Sequence, residues 1–229
     1  MERTVGVLGG MGPEATVELY RRILSLTPAE RDQDHLHVLI DSNPKIPDRT
    51  AAIIGQGESP LTALIEAVHN LERAGADFIA IPCNTAHYWL SELREVASVP
   101  IIDMIGETAE CVASNRPALH QIGLLATTGT LRSGLYQRAF AESGIDLLVP
   151  DEEQNEGIMQ AIHAIKAGDH SAKSAVVKVA QELIARGAEG IIPGCTELSL
   201  VVPEGSLSVP VFDPLSILGK RSIALASEG

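Results

Sequence analysis

The feature that most constrains the fold of this chain is an internal repeat. Three segments of the first half recur in the second half in the same order, at offsets that fall from 117 to 112 to 110 residues (123 − 6, 195 − 83 and 213 − 103). Falling offsets are expected when small deletions follow a duplication. The aligned residues are Gly6 with Gly123, Gly12 with Gly129, Gly75 with Gly187, Cys83 with Cys195, Pro100 with Pro210, and Asp103 with Asp213. The sequence therefore predicts two similar halves.

Each half alternates short apolar runs with amphipathic stretches. In the first half, predicted strands cover 5–9, 37–41, 77–82 and 100–105, and predicted helices cover 13–26, 60–76, 86–96 and 107–114. Strands that alternate with helices are typical of βαβ units and a parallel sheet. Aromatic residues make up 3% of the chain against 45% hydrophobic residues, so the core must consist mainly of Ile, Leu, Val and Ala. Such a composition suits parallel strands that are buried on both faces.

We predict an α/β fold with two similar domains, each a mostly parallel sheet flanked by helices, related by pseudo-twofold symmetry. The N-terminal domain is expected over 1–117 and the C-terminal domain over 118–212. A final helix, at about 213–229, is expected to return to the N-terminal domain and pack on it. Ligands of open parallel sheets bind beyond the carboxyl ends of the strands, which is where the candidate site residues should be sought.

Charge and cysteine content exclude several classes of function. The formal net charge of −13 opposes binding to nucleic acid or to an anionic membrane. No apolar run approaches the roughly 18–20 residues of a membrane span, and the N-terminus lacks the pattern of a signal peptide. Three cysteines without a CxxC pair argue against a disulfide framework and against a cysteine-rich metal site. We therefore expect a soluble cytoplasmic protein with no bound metal.

Cys83 and Cys195 each follow a predicted strand and precede a polar cluster, in IPCNTAH and IPGCTEL. A helix N-terminus beside such a thiol is expected to lower its pKa from about 8.5 toward neutrality. Two thiols that face one ligand from opposite sides suit stereoinversion at carbon, because one removes a proton and the other returns a proton to the opposite face. The alternative is two buried structural cysteines. Cys111 lies in a helical apolar stretch and is itself predicted to be a buried structural residue.

A glycine-containing turn follows the first predicted strand of each half, GGMGPE at 9–14 and ATTGTL at 126–131. Backbone N–H groups at strand-to-helix turns bind carboxylate or phosphate groups. Neither turn has the GxGxxG spacing of a dinucleotide site. We predict carboxylate binding with hydroxyl groups from Thr127, Thr128 and Thr130, and the alternative is a tight turn without a ligand.

Six motifs, in this order and spacing, resemble the cofactor-independent aspartate/glutamate racemase superfamily, and most closely its aspartate racemase branch: GGMGP, NPKIPDRT, PCNTAH, ATTGT, IKAG and GCTEL. The resemblance covers nearly the whole chain. It implies two α/β domains, catalytic roles for Cys83 and Cys195, no pyridoxal phosphate or other cofactor, and a homodimer. It also implies that Arg49 and Lys166 hold a substrate carboxylate. The other implied substrate contacts are Met11, Asn84, Thr85, Thr127, Thr128, Thr130, Thr196 and Glu197.

The substrate that this resemblance implies is aspartate or a similar acidic amino acid. Glutamate racemases of this type carry an acidic residue in the first turn, where this chain has Met11, and this departure weakens glutamate as the substrate. Arg49 and Lys166 favour a dicarboxylic substrate, because a second carboxylate needs a matching cation. The alternatives are a broad-specificity or glutamate racemase, a hydantoin racemase, a maleate isomerase or decarboxylase relative, and a non-enzymatic dicarboxylate-binding protein.

Arg49 and Lys166 also have simpler interpretations, and His87 of the PCNTAH motif has two possible roles. Arg49 is also consistent with a surface charge on a loop. Lys166, near the end of a predicted helix, is also consistent with a partner of the helix dipole. His87 either orients the Cys83 thiol or holds the start of the following helix.

Overall fold

The computed structural model describes residues 2–115, 117–141 and 143–228, with the backbone alone for His170. Its strands are β1 (Val5–Gly9), β2 (Val38–Ser42), β3 (Phe78–Ala80), β4 (Gln121–Ala126), β5 (Asp146–Leu148) and β6 (Gly190–Gly194). Its helices are α1 (Pro13–Leu26), α2 (Arg49–Ile53), α3 (Leu61–Ala74), α4 (Leu90–Val96), α5 (Met104–Ala113), α6 (Thr128–Ser133), α7 (Leu135–Phe140), α8 (Glu152–Lys166), α9 (Lys173–Ala185), α10 (Thr196–Ser199) and α11 (Pro214–Ser227). Short 3₁₀ turns cover Asp32–Asp34, Thr85–Trp89 and His170–Ala172.

β1 is the central strand of a parallel three-stranded sheet with the order β2-β1-β3. Val5 pairs with Val38 on β2 and with Phe78 on β3. A bridge from Ile79 to Ile101 adds one further pairing beside β3. All residues of β1 are buried, as expected of a central strand with helices on both faces.

α1 and α3 cover opposite faces of this first sheet. α1 begins at Pro13, whose fixed φ suits the first helical position, and it buries Leu19 and Ile23 in one apolar cluster with Val5 and Phe78. α3 buries its apolar stripe in the other cluster, which contains Leu8, Ile79 and Ile81. Alternate residues of the strands thus point to the two faces, as the period of two requires.

The second sheet repeats the first, with β4 as the central strand and the order β5-β4-β6. β4 and β6 are parallel and in register to Ala126, which pairs with Gly194. A bridge from Ile191 to Val211 corresponds to the bridge beside β3. The predicted fold class is confirmed in this respect: the chain is α/β, with two similar three-stranded parallel sheets flanked by helices.

Gly6 and Gly123 show why the repeat retains glycine at the centre of each sheet. A Cβ at Gly6 would lie 2.8 Å from the Cβ of Ala76, and one at Gly123 would lie 2.5 Å from Cδ1 of Ile191 and 3.3 Å from the Cβ of Ala188. Real Cβ atoms essentially never come within 3.0 Å of another atom, and 3.3 Å is already tighter than most real contacts. Cores are packed to crystal-like density, so the neighbours have little room to move. The absence of a side chain therefore lets the segment after α3 or α9 approach the central strand.

A carboxylate binds the start of the central strand in both sheets. Asp77 Oδ2 accepts the N–H of Thr4 at 2.7 Å, and the N–H of Asp77 donates to the Thr4 carbonyl at 2.9 Å. Glu189, which aligns with Asp77, accepts the N–H groups of His120 and Gln121 and donates its own to the Gln121 carbonyl at 2.8 Å. These backbone donors hold the pKa of Glu189 below its usual range. The duplication has thus kept the contact while the side chain changed.

The chain divides into two compact units: one runs to Met104 and includes the chain from Leu215 onward, and the other is Ile105–Pro214. This division falls one helix earlier than the boundary predicted between 117 and 118. That boundary stays a prediction, and Arg116 beside it lies outside the described residues, as does Gly229 in the predicted final helix.

α11 belongs to the first unit and packs on the face of the sheet that α1 covers. Leu215, Leu218 and Ala226 join the apolar cluster of Val5 and Leu19. The carbonyl of Ala226 also accepts the N–H of Arg3 at 3.1 Å.

One predicted strand is largely absent from the structure, and one observed strand was not predicted. The predicted strand 100–105 is reduced to the single bridge at Ile101, because the chain turns into α5 at Met104. β5 had no counterpart among the predicted strands, since Asp146–Leu148 is only three residues long and half exposed. Among the described residues, no helix combines the length and the apolar character needed to span a bilayer.

Candidate active site

The Cys83 site lies beyond the carboxyl end of β3. The N–H of Cys83 donates to the carbonyl of Ile81 at 2.8 Å, which turns the chain sharply after the strand. The thiol is buried, with 5% of the residue exposed, and belongs to the apolar cluster that α3 covers. Asn84 and Thr85, the next two residues, are also buried and lead into the 3₁₀ turn. The structure therefore keeps the thiol and its two polar neighbours together at one strand end.

His87 connects this turn to the start of α5. Its Nδ1 lies 2.9 Å from the carbonyl oxygen of Cys83, and its Nε2 accepts the N–H of Met104 at 3.1 Å. Burial lowers the pKa of His87, an effect that the bond to the Cys83 carbonyl and the nearby charge of Asp103 oppose. Both ring nitrogens are engaged by backbone groups, so His87 fixes the position of Cys83 rather than exchanging protons with a ligand.

Arg49, the first residue of α2, is buried rather than a surface charge. Its guanidinium donates to the carbonyls of Ile46 at 3.2 Å, Pro47 at 3.0 Å and Met11 at 3.4 Å. Nε is buried without a hydrogen-bond partner, and no carboxylate in the described part of the chain pairs with this cation. Met11 is itself buried and contacts Arg49 through its backbone. A buried cation bound only by carbonyl dipoles is well prepared to receive an anion.

The Cys195 site lies at the corresponding end of β6. Cys195 has extended backbone angles, φ −138° and ψ 131°, and occupies the N-cap position of the short helix α10 without a capping hydrogen bond from its side chain. Its thiol is buried in the cluster that α8 and α9 contribute to, as Cys83 is buried beneath α3. Thr127 follows Ala126, the residue that pairs with Gly194. The second glycine-threonine turn therefore begins at the same edge of the sheet as Cys195.

Glu197 is the immediate partner of the Cys195 thiol. Cys195 Sγ donates to Glu197 Oε2 at 3.0 Å, and the hydroxyl of Thr196 lies 3.5 Å from the same oxygen. Glu197 is 2% exposed, and its Oε1 is buried without a hydrogen-bond partner among the described residues. Thr196 and Glu197 were both predicted as substrate contacts, and the structure places them directly beside the thiol.

Burial raises the pKa of the Cys195 thiol well above its usual range, and the charge of Glu197 raises it further. The charge of Lys166, the last residue of α8, opposes this rise. The prediction that a helix N-terminus lowers the pKa is therefore wrong for Cys195, because α10 is a single short turn and burial beside a carboxylate outweighs its dipole. Lys166 itself is exposed, yet it lies close enough to act on the thiol.

The three threonines of the second turn divide between two roles. Thr127 caps α6, accepting the N–H of Thr130 at 3.0 Å and donating its hydroxyl to Thr130 Oγ1 at 3.0 Å. Thr128 instead contacts α8: its hydroxyl accepts Asn155 Nδ2 at 2.9 Å, and its N–H donates to Met159 Sδ at 3.3 Å. The side chains of Thr127 and Thr130 thus contact each other, whereas that of Thr128 contacts α8 instead.

Sequence reasoning missed Ser199, which aligns with His87 in the repeat. Ser199 donates its hydroxyl to Asp213 Oδ1 at 2.7 Å, and both residues are buried. Asp213 aligns with Asp103, whose charge acts on His87. In each unit, a side chain four residues after the cysteine therefore interacts with the aligned aspartate, Asp103 or Asp213, and the alignment alone could have indicated this. Cys111 was predicted to be buried, but it is exposed on α5.

Two α/β units, each with a parallel sheet and a buried cysteine just beyond a strand end, match a family of isomerases. The family model described as Asp/Glu/Hydantoin racemase matches residues 8–220. The chain belongs to this family and is an amino-acid racemase of it.

Individual relatives support the same assignment. The broad specificity amino-acid racemase RacX of Bacillus subtilis (strain 168) is 31% identical over 225 residues, which is 96% of each chain. The structure of Picrophilus torridus aspartate racemase superposes with a TM-score of 0.90 at 32% identity and covers 98% of this chain and 94% of that one. An aspartate racemase homologue from Pyrococcus horikoshii OT3 has a TM-score of 0.77 at 28% identity, with coverage of 98% and 99%.

Proposed function

We propose that this protein interconverts L- and D-aspartate without pyridoxal phosphate, by proton transfer at the α-carbon between two cysteines. The observation that carries the proposal is the equivalence of Cys83 and Cys195: both thiols are buried, each beyond the third strand of its sheet, with polar residues directly after them. A duplicated thiol is what a reaction with two opposite proton transfers needs, whereas a reaction with one base needs one.

In the forward reaction one cysteine, as thiolate, takes the α-proton, so a C–H bond breaks and an S–H bond forms. The other cysteine, as thiol, gives its proton to the opposite face of the carbanion-like centre, so an S–H bond breaks and a C–H bond forms. The reverse reaction exchanges the two roles. No electrons leave the substrate, and the reaction is an isomerisation.

Arg49 is the proposed partner of a substrate carboxylate. Among the described residues, its buried guanidinium has hydrogen bonds to carbonyls only and its Nε has no partner, so a carboxylate would satisfy both the charge and the orphaned donor. Lys166 is the second proposed cation, in accordance with its effect on the Cys195 thiol. Two cations fit a dicarboxylic amino acid better than a monocarboxylic one, and positive charge near the α-carboxylate also stabilises the developing carbanion.

Glu197 is the proposed partner of the α-ammonium group. Oε2 is occupied by the Cys195 thiol, while Oε1 is buried without a partner among the described residues. A buried carboxylate oxygen without a donor costs free energy, and an ammonium group removes that cost. Asn84, Thr85, Thr127, Thr130 and Thr196, all buried near the two thiols within their own units, are the proposed neutral contacts.

The test is α-proton exchange in D₂O, followed by proton NMR and chiral chromatography, with no added cofactor. Wild-type enzyme should convert each enantiomer of aspartate, and product formed early should carry deuterium while recovered substrate keeps its proton, because separate thiols serve the two faces. Cys83→Ser and Cys195→Ser should each lower the rate by about 10²–10⁴-fold. Cys111→Ser is the matched control and should keep wild-type activity, because Cys111 is exposed on α5.

The outcomes separate the competing functions. No exchange with either enantiomer, together with retained aspartate binding, would favour a dicarboxylate-binding protein. Turnover of hydantoins or maleate but not of amino acids would favour those branches of the family.

A broad-specificity amino-acid racemase is the second candidate, and the likeness to the Bacillus subtilis relative favours it. The two candidates differ in what Arg49 contributes. Aspartate specificity predicts that alanine and other neutral amino acids exchange far more slowly than aspartate, while broad specificity predicts similar rates. We also expect a homodimer in the cytoplasm, which light scattering and cell fractionation would check.

A further inference from the structure

The two thiols have different neighbours at the same position of the repeat. Glu197 aligns with Thr85, because both stand two residues after their cysteine. Cys195 therefore has a buried carboxylate beside it, where Cys83 has a buried hydroxyl. A duplication that keeps both cysteines but places a carboxylate two residues after the second one and a hydroxyl two residues after the first makes the two thiols chemically unequal.

The contact between Cys195 and Glu197 has a definite direction. A carboxylate only accepts hydrogen bonds, so at 3.0 Å the thiol donates its proton to Glu197 Oε2. Were that proton lost to solvent, a thiolate and a carboxylate would face each other inside the apolar cluster of the second unit. Like charges in a poorly solvated site repel strongly.

The other charged groups around Cys195 do not cancel this repulsion. Lys166 is the cation that acts on the thiol, but it is exposed at the end of α8 and therefore screened by solvent. Asp213, the other buried carboxylate that follows β6, binds the hydroxyl of Ser199. The resulting balance of burial, Glu197 and Lys166 favours the protonated thiol.

We propose that Glu197 holds Cys195 as the protonated, proton-donating thiol of the resting enzyme, so that the resting enzyme accepts the enantiomer whose α-proton faces Cys83, and Cys83 removes that proton. The consequence for Cys83 rests on the proposed function, whereas the protonation of Cys195 does not. After one turnover Cys83 carries the abstracted proton and Cys195 is a thiolate. The resting state returns when solvent gives one proton to Cys195 and accepts one from Cys83.

The opposite role for Glu197 uses the same geometry. A carboxylate 3.0 Å from a thiol could instead act as a base that takes the proton and releases a reactive thiolate. The two roles predict opposite effects of neutralising Glu197, and substitution therefore separates them.

The experiment is alkylation by iodoacetamide across a range of pH from about 6 to 11, which begins well below the usual thiol pKa of about 8.5 and extends well above it, with each cysteine quantified by peptide mass spectrometry. The pH midpoint of each rate reports the thiolate population even where burial slows the reagent. Exposed Cys111 is the internal reference in every sample. In the wild type, Cys83 should react with a midpoint at lower pH than Cys195.

Glu197→Gln should move the midpoint of Cys195 to lower pH and raise its alkylation rate about tenfold at a pH below that midpoint, as one pKa unit implies. The midpoint of Cys83 should not move. Lys166→Met should move the midpoint of Cys195 the other way. Glu204→Gln, an exposed position in the same unit, is the matched control for net charge and should change neither midpoint.

A slower or unchanged Cys195 in Glu197→Gln would overturn the proposal and assign Glu197 as a base. Circular dichroism of each variant checks the fold, and Glu197→Asp, which keeps the charge, should keep the wild-type order of the two midpoints. Alkylation needs no turnover, so these results stand apart from the aspartate exchange assay. If aspartate is not a substrate, the unequal thiols are still measured.

Discussion

The imidazole Nδ1 of His87 lies 2.9 Å from the carbonyl oxygen of Cys83, so the turn that carries this thiol is held by a buried side chain four residues further along. Since Nε2 accepts a backbone N–H, the proton must be on Nδ1 and the ring must be neutral. A protonated ring would have to give up the bond to Met104. The first unit is therefore sensitive to acid at the position of its thiol.

His87 is expected to make the protein less stable as the pH falls. Burial lowers the pKa of His87 in the folded state, whereas an unfolded imidazole titrates at about 6.5. Below that pH the unfolded state binds a proton that the folded state does not, so the free energy of unfolding falls; above it both states are neutral and the effect vanishes.

Urea unfolding between about pH 7.5 and pH 5.5 measures this effect, because the range spans the unfolded pKa. His87→Gln should lose part of the pH dependence, while His163→Gln, at an exposed position on α8, should keep it. Identical slopes for the wild type and His87→Gln would show that His87 is not held neutral by the fold.

Gly6→Ala and Gly123→Ala should each lower the free energy of unfolding by about 1–3 kcal/mol, the usual cost of overpacking a core. The added methyl groups would meet Ala76 Cβ at 2.8 Å and Ile191 Cδ1 at 2.5 Å. Gly123 should be the milder case if the end of the Ile191 side chain moves aside, because that atom is more mobile than a Cβ.

Gly157→Ala is the control for this pair and should have the opposite sign. A Cβ at Gly157 meets nothing within 4 Å, and the residue lies inside α8. Alanine there should stabilise the protein by about 0.5–1 kcal/mol through helix propensity. Chemical denaturation of the three variants checks the set, and equal effects at all three positions would contradict the packing argument.

Ser199→Ala should destabilise the second unit, because the hydrogen bond from the Ser199 hydroxyl to Asp213 Oδ1 would be lost inside the fold. A hydrogen bond to a charged group contributes about 1.5–3 kcal/mol. Ser206→Ala, at an exposed position, should have little effect. Thermal and urea unfolding compare the two, and an equal response would show that the hydroxyl of Ser199 contributes nothing.

The repeat predicted much of this structure because it is a long-range signal within a single sequence. It placed Cys83 and Cys195 at equivalent strand ends, and it aligned Gly6 with Gly123 before any contact was known. The same alignment pairs His87 with Ser199, two different side chains that each interact with one of the aligned aspartates. Their partners depend on how each side chain is oriented, and a repeat read by residue identity does not contain that information.

Electrostatics and burial were the least predictable features. The sequence placed a helix N-terminus beside Cys195 and so predicted a lowered pKa, but the contact with Glu197 and the burial of the thiol reverse the sign. Cys111 lies in an apolar stretch, yet its position on α5 faces solvent. Thr128 lies in the predicted turn but contacts α8 through Asn155. The exposure of Cys111 and the contact of Thr128 depend on which face of a short helix the residue occupies, and short helices have weak periodic signals.

Arg49 offers the sharpest test of substrate choice. Arg49→Lys keeps the positive charge but loses the planar fork and Nε, and Arg49→Met loses the charge at similar length. If the guanidinium binds the side-chain carboxylate of aspartate, Arg49→Lys should lower kcat/KM for aspartate by about 10–100-fold and Arg49→Met by more, since each tenfold step is about 1.4 kcal/mol. For a neutral amino acid with no side-chain carboxylate, the two variants should change kcat/KM far less. Equal losses for both kinds of substrate would instead place Arg49 at the α-carboxylate, which all amino acids share.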